Sequence, residues 1–249
     1  MPDSVDLSPD RYAALIAPVI DRVFVGVMRG VVPARGGRDL VRRYGGPPVG
    51  VLIEFSGPLG HPDGRVSPDG FAAVHRYRDL AEGWSTLEAA ADAGLIEIDG
   101  DGSFRVTGTG RTFLAEDWAV RAAATGDLWR GHEDRVRRAV ELLGRVLTAA
   151  TRSGGTAFAA MAPGYEPPGA TSGARLLGRL GTLRYHRADA HAAAWASTGL
   201  DAAGIQELAP GVERDAIERD TDRRAGRAFT CLDPAERLTL LADLGALPA

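Results

Sequence analysis

Apolar positions in this chain recur mostly at helical spacing, and only one short region alternates. From Ser8, "SPDRYAALIAPVIDRVFVGVMRGVV" places a capping residue before a proline at the first helical position, then repeats apolar side chains every three to four residues. This predicts a first helix, bent at Pro18 or Gly26. "PARGGRDLVRRYGGPPVG" follows, its glycine and proline clusters marking turns around a short helical piece. "VLIEFSGPL" fits strand or helix by pattern alone and is read as helix from its neighbours, and "GHPDGRVSPDG" is a loop. Between Ser67 and Trp118 the signals are sharpest. Ser67 and Pro68 open one helix, Ser85 or Thr86 opens a second, and Gly94 stops it. "LIEI" and "FRV" are then strands joined by the tight turn "DGDGS", and Thr107 restarts a helix.

The order helix, helix, two-stranded wing, helix is that of a winged helix-turn-helix. Beyond Leu128 the pattern is helical. Val136, Val140, Leu143 and Leu147 form one stripe, and Glu133 with Arg137, Asp134 with Arg138 and Glu141 with Arg145 are i,i+4 pairs worth about 0.2–0.5 kcal/mol each. His132 reads as a surface or capping residue. "SGGTAFAAMAPGYEPPGATSG" reads as an irregular segment long enough to cover a pocket. After Cys231, Asp233 and Pro234 begin a last helix whose stripe, Leu238 through Leu241 or Leu244, packs or dimerises. The expected fold is mainly α: a winged helix with a short two-stranded wing over residues 1–118, and a helical carboxyl-terminal domain over residues 119–249.

Composition narrows the function classes. With 45% apolar and 25% charged residues in 249, the chain has the profile of a soluble globular protein. All 29 basic residues are arginine, and the net charge is −4, so the overall field attracts neither nucleic acid nor an anionic membrane. One cysteine, Cys231, excludes an intramolecular disulfide and a cysteine-based zinc finger. The amino terminus has no basic region before an apolar core, and the run from Tyr12 to Val32 is broken by Asp21, Arg22 and Arg29. Neither export nor a membrane span is expected, and the protein is placed in the cytoplasm. "GGPPVG" lacks the spacing and lysine of a phosphate-binding loop, no serine lies in a G-x-S-x-G elbow, and no cofactor or metal is expected.

The densest chemistry lies in "RYHRADAHAAAW", residues 184–195. On a helix His186 and His191 are separated by roughly 140°, too far to share a metal as an i,i+4 pair does. The same geometry sorts Tyr185, His186 and Asp189 onto one face and Arg184, Arg187, His191 and Trp195 onto the other. Asp189, three residues after His186, can orient its ring. Two readings stay open: polar side chains that tie buried helices together, or contacts to a ligand. For a ligand, Trp84, Tyr165, Tyr185, His186, His191 and Trp195 are the candidate pocket positions, since aromatic rings with a few polar groups make such pockets. For a reaction, His186 or His191 would be the acid/base and Asp189 the orienting carboxylate. Glu218 and Asp222 stand one turn apart, but Arg219, Arg223, Arg224 and Arg227 crowd them, which favours a salt-bridged helix.

"AGLIEIDGDGSFRVTGTGRTFL" resembles the wing of MarR-like regulators, in which "GL" precedes the first strand and "T..GR..L" follows the second. "RYHRADAHAAAWASTGL" and "IERDTDRRAGRAFTCLDPAERLTLLADL" further resemble an actinobacterial family of MarR-like helix-turn-helix proteins. The matched positions are His186, Arg187, Asp189, His191, Gly199 and Leu200, then Ile217, Glu218, Thr221, Asp222 and Arg223. In the family pattern the wing lies between these blocks, whereas here it precedes both. The resemblance implies a regulator that responds to a small organic molecule and forms a homodimer through its terminal helices; some members of the family are encoded near natural-product genes. The alternatives are an enzyme acting on a natural-product intermediate and a protein-interaction module.

DNA binding is disfavoured by charge. From residue 82 to 101 the acids Glu82, Glu88, Asp92, Glu97, Asp99 and Asp101 stand without one arginine, the wrong sign for a phosphate backbone. Against them stand Ser85 and Thr86 for base edges, His75, Arg76 and Arg78 for phosphates, and a separate patch of Arg29, Arg35, Arg38, Arg42 and Arg43 around Asp39.

Overall fold

The computed structural model describes residues 7–249; residues 1–6, where the segment read for an export signal begins, lie outside the described residues. Among the described residues are thirteen α-helices and one two-stranded sheet: α1 (Pro9–Gly26), α2 (Arg38–Arg43), α3 (Gly50–Glu54), α4 (Ser56–Leu59), α5 (Pro68–Val74), α6 (Leu80–Asp92), β1 (Ile96–Ile98), β2 (Phe104–Val106), α7 (Gly108–Leu128), α8 (Glu133–Ala150), α9 (Thr156–Met161), α10 (Ser172–Ala196), α11 (Ala202–Glu207), α12 (Val212–Gly226) and α13 (Pro234–Ala246). The protein is mainly α, with a small antiparallel sheet and a large helical region after it. No helix of the described residues is long and apolar enough to cross a membrane.

Local chemistry sets most element ends. The hydroxyls of Ser67 and Thr107 accept from the amides of Gly70 and Gly110, capping α5 and α7 as their sequence positions predict. Gly94, at φ 67°, ends α6 in a conformation that favours glycine. β1 pairs antiparallel with β2, Ile96 opposite Val106, and Val66 bridges to Phe104 on the free side of β2. α1 continues past Pro18, and at Gly26 it passes into wider helical turns (Val27–Val31 and Pro33–Gly37) that break at Arg35 and Gly36 before α2.

Apolar burial is split between two main cores. The first takes Tyr12, Ile16, Ile20 and Val23 of α1 together with Val136, Val140 and Leu143 of α8, Leu176, Leu177 and Leu180 of α10, and Leu240 and Leu244 of α13. Residues 9–26 thus pack with the helices that follow residue 128. The second core is local to residues 40–114, apart from Met161, and centres on Phe55, Phe71 and Phe104, whose ring centroids lie 5.6–5.9 Å apart. Val120 touches both cores. Just before and after it on α7, Asp117 and Arg121 form a 2.5 Å ion pair with both side chains buried.

Several sequence expectations are corrected. α6 starts at Leu80 under an Asp79 cap that accepts from Ala81 and Glu82; Ser85 and Thr86 lie inside it, because the Asp79 carboxylate is the stronger acceptor one turn earlier. The segment at 153–173 is not irregular throughout: it holds α9, which buries Ala157, Phe158 and Met161. Glu166 in the remaining loop is gripped by Arg175 and Arg179 of α10, each at 2.6 Å. Of the i,i+4 pairs expected on α8, none forms: Arg138 reaches Asp243 of α13 at 2.8 Å, Arg145 reaches Glu236, and Arg137 turns to Asp134. Tertiary partners win because Asp243 is buried and needs its charge matched. On α13 the buried face is Leu240 and Leu244, followed by Leu247, while Leu238 is exposed. The stripes of α1 and α13 offered for dimerisation are therefore spent mostly within the chain.

A candidate ligand cavity beside the histidine helix

α10 is the axis of the site. Thr171 caps it, accepting from the Ala174 amide, and its 25 residues run between both cores. The two faces expected for residues 184–195 meet different neighbours.

On one face, Asp189 is buried and accepts from the amides of Gly155, Ala157 and Phe158 at 3.0, 3.3 and 2.8 Å, and it pairs with Arg76 of α5. It therefore does for α9 what a local cap would do, satisfying amides left free in its first turn. A Cβ at Gly155 would stand 2.9 Å from the Asp189 carboxyl carbon, so the approach depends on glycine there. With its oxygens turned to Arg76 and α9, Asp189 does not orient His186. That ring, 2% exposed, shares a 2.9 Å hydrogen bond through Nε2 with the Ser153 hydroxyl, and burial depresses its protonation. Among the described residues no carboxylate bonds the other nitrogen of that ring.

On the other face, Arg187 donates to Asp222 of α12 at 2.7 Å and lies 3.6 Å from Glu218, and Arg184 donates to Asp21 of α1 at 2.5 Å. The expected salt-bridged character of Glu218 and Asp222 is present, but the arginine is Arg187 of a neighbouring helix. Arg223 and Arg224 pair with Asp220 instead. The Trp195 indole donates to the Tyr77 hydroxyl at 3.0 Å, and that hydroxyl lies 2.8 Å from Nδ1 of His191.

Where α1, α10 and α12 meet, a cavity of about 290 Å³ opens between them. Ile16, Ile20, Leu183, Ala225 and Phe229 give it an apolar floor; His191, Arg184, Arg187, Glu218 and Asp21 supply its polar groups. His186 and His191, about 140° apart on α10, both line it, His191 among Arg184, Arg187 and Ala188 and His186 at the edge of that face. Burial depresses the His191 imidazole despite the Glu218 carboxylate nearby. Among the described residues no group of three or more His, Cys, Asp or Glu side chains could hold a metal ion. A second, open concavity between α5 and α9 has as its charged groups Asp69 and the Arg76–Asp189 pair.

The other expected pocket residues lie elsewhere. Trp84 packs on Phe71 in the second core, with centroids 4.7 Å apart. Tyr165 sits edge-on to His61 at 5.3 Å. Tyr185 reaches Glu54 at 3.3 Å, and burial raises its hydroxyl above the usual phenol range. Trp195 lies in a small third cluster with Ile205 and Ile217. Of the six, only His186 and His191 line the cavity. The apolar floor was not legible because Ile16 and Ile20 come from α1, and no local signal ties α1 to α10.

The cations proposed for DNA are largely engaged. Arg76 pairs with Asp189, Arg78 with Glu54 at 3.2 Å, Arg35 with Asp127, Arg42 with Asp39, and Arg43 with Glu116 at 2.5 Å. Arg29 and Arg38 have no ion pair among the described residues. His75 is buried, bonded to Glu54 at 3.0 Å, and not offered to a phosphate. Burial raises the Glu54 carboxyl, but bonds from His75 and Arg78 outweigh it and hold the group below the usual carboxylate range. The wing is less acidic in space than in sequence, because Arg65 reaches Asp99 and Asp101 and Arg105 reaches Glu97. On α6, however, Glu82, Glu88 and Asp92 are exposed with no arginine on the helix.

In comparisons with known proteins, no family model, no curated protein and no solved structure matches this chain.

Proposed function

We propose that this protein binds a small, largely apolar organic molecule in the cavity between α1, α10 and α12, on a scaffold of winged-helix type whose usual DNA-reading helix no longer serves that purpose. The cavity carries the reading: it is concave, apolar at its floor, and bordered by a few convergent polar groups, the common form of a small-molecule site. The winged-helix part rests on chain order, with Val66 as the first strand residue, α5 and α6 as the helix pair, and β1 and β2 as the wing. It also rests on the resemblance of the wing and of the histidine and "IERDTDR" blocks to MarR-like proteins. The face of α6 supports loss of DNA reading, since three exposed acids repel the backbone that cations would have to neutralise.

The test is a titration with a neutral apolar fluorophore, N-phenyl-1-naphthylamine, whose emission rises on leaving water. Saturable binding to the wild type, abolished by Ala17→Phe or Ala188→Phe at the cavity wall, is the expected result. Equal binding by wild type and both variants places the probe elsewhere and overturns the reading. Tight, steeply salt-dependent binding to DNA from the protein's own gene neighbourhood overturns the part concerning α6.

A further inference from the structure

Proton accounting at the cavity rim narrows the ligand. The indole of Trp195 can only donate, and it donates to the Tyr77 oxygen. The single proton of that hydroxyl is then free for Nδ1 of His191, 2.8 Å away. With the Tyr77 proton directed at Nδ1, the ring, whose burial disfavours a second proton, holds its one proton on Nε2; this is the tautomer on which the inference stands. Nε2 is buried without a hydrogen-bond partner. The facing acceptor, Oε1 of Glu218, is 3.6 Å off, beyond hydrogen-bond reach.

Glu218 is in the complementary position. Its other oxygen is 3.6 Å from Arg187, whose guanidinium already serves Asp222, and its side chain is half exposed. Arg184 is bound to Asp21. The charged groups at the cavity are thus matched among themselves except for one carboxylate short of a donor, beside one imidazole N–H short of an acceptor.

From this arrangement, which rests on the cavity reading above, we infer that the ligand presents a neutral hydroxyl, alcohol or phenol, that accepts from Nε2 of His191 and donates to Glu218. One oxygen atom meets both needs only if it carries a proton and a lone pair. A carboxylate would accept from His191 but lie against Glu218, and an ammonium would donate to Glu218 but face the His191 N–H; the Arg187–Asp222 and Arg184–Asp21 pairs, already matched, favour neither sign. The apolar body of the ligand rests on Ile16, Ile20, Leu183, Ala225 and Phe229.

A matched set of probes on one ring system separates these cases: 2-naphthol, naphthalene, 2-naphthoate and 2-(aminomethyl)naphthalene, each titrated into the full chain at pH 7.5. The expected result is that 2-naphthol binds at least about tenfold tighter than the other three, the effect of two ordinary hydrogen bonds. Glu218→Ala and His191→Phe should each cut that preference over naphthalene, measured on the same variant, to below about threefold. Glu218 is half exposed, so its variant folds and keeps the test decisive even if His191→Phe does not. Binding of naphthalene, naphthoate or the amine within about threefold of naphthol, or a preference that survives Glu218→Ala, overturns the hydroxyl inference and leaves the cavity reading standing. No saturable binding of any of the four overturns both.

Discussion

Asp189 offers the sharpest test of what the polar helix does. The wild-type carboxylate is 6% exposed as a side chain, receives three backbone amides of α9, and faces Arg76, itself 16% exposed. Asp189→Ala leaves a mostly buried guanidinium without its partner and returns the α9 amides to an apolar surrounding. Breaking a buried pair by removing one member costs about 3–5 kcal/mol. Part of the Arg76 charge can turn toward the open concavity beside it, which sets the expected loss near the lower bound, about 3 kcal/mol. Asp189→Asn keeps one acceptor oxygen but no charge, and should cost about 2 kcal/mol. The assay is urea unfolding followed by tryptophan fluorescence, with the single variants, Arg76→Ala and the double variant forming a cycle. The loss from Asp189→Ala should shrink by about 2 kcal/mol in the Arg76→Ala background, since the orphaned charge is then gone. A loss below about 1 kcal/mol at unchanged m, or strict additivity in the cycle, would refute the claim that Asp189 is a structural tie between α5, α9 and α10.

Three further outcomes follow from the same geometry. His186 and His191 are both depressed by burial, so below about pH 6.5 the unfolded chain binds more protons at these two rings than the folded one, and their contribution to stability rises with pH. The buried Asp117, raised by burial, works in the opposite sense, so the decisive comparison is with His186→Gln, which should lower the slope of the urea midpoint between pH 5 and pH 7; an unchanged slope would contradict the burial of that ring. Asp79→Ala should cost about 1 kcal/mol as a lost helix cap, whereas Thr86→Ala, inside α6, should stay within about 0.5 kcal/mol; equal effects in thermal melts would return the cap to Thr86. Asp243 is buried and held by Arg135 and Arg138, so Asp243→Ala should lower stability by about 3 kcal/mol, and Arg137→Ala on the exposed side of α8 by less than about 0.5 kcal/mol. A reversed order in urea titrations would show that α8 is held by its own local pairs.

The elements that the sequence made legible are those fixed by neighbours in the chain. Ser67, Thr107, Gly94 and the "DGDGS" turn act over three or four residues, and each stands where its chemistry required. Arginine partners were not legible in this way. In a chain whose every cation is arginine, the i,i+4 rule offers a partner everywhere, while Arg138, Arg145 and Arg187 chose carboxylates 35 to 105 residues away. The candidate site divides along the same line. His186, Asp189 and His191 stood out as polar residues in an alanine-rich helix. Their separate fates, a serine contact, a cap for α9 and the cavity rim, depend on α9, α5 and α12 arriving beside α10. Trp84, Tyr165, Tyr185 and Trp195, chosen by counting aromatic rings, do not line the cavity, since an aromatic side chain fills a core as readily as a pocket.

The packing of α1 with helices from the far end of the chain also sets an order of events during synthesis. The second core, apart from Met161, is complete once residue 114 has emerged, and it can form while the rest is still being made. Tyr12, Ile16, Ile20 and Val23 must wait for α8, α10, α12 and α13. At about 5–20 residues per second the stripe of α1 stays uncovered by α12 for roughly 10–40 s. The cavity wall that α1 supplies is thus the last part of the site to be enclosed. A newly made chain holds a nearly complete second core beside an exposed apolar helix, and that interval is when a misplaced neighbour would seize it.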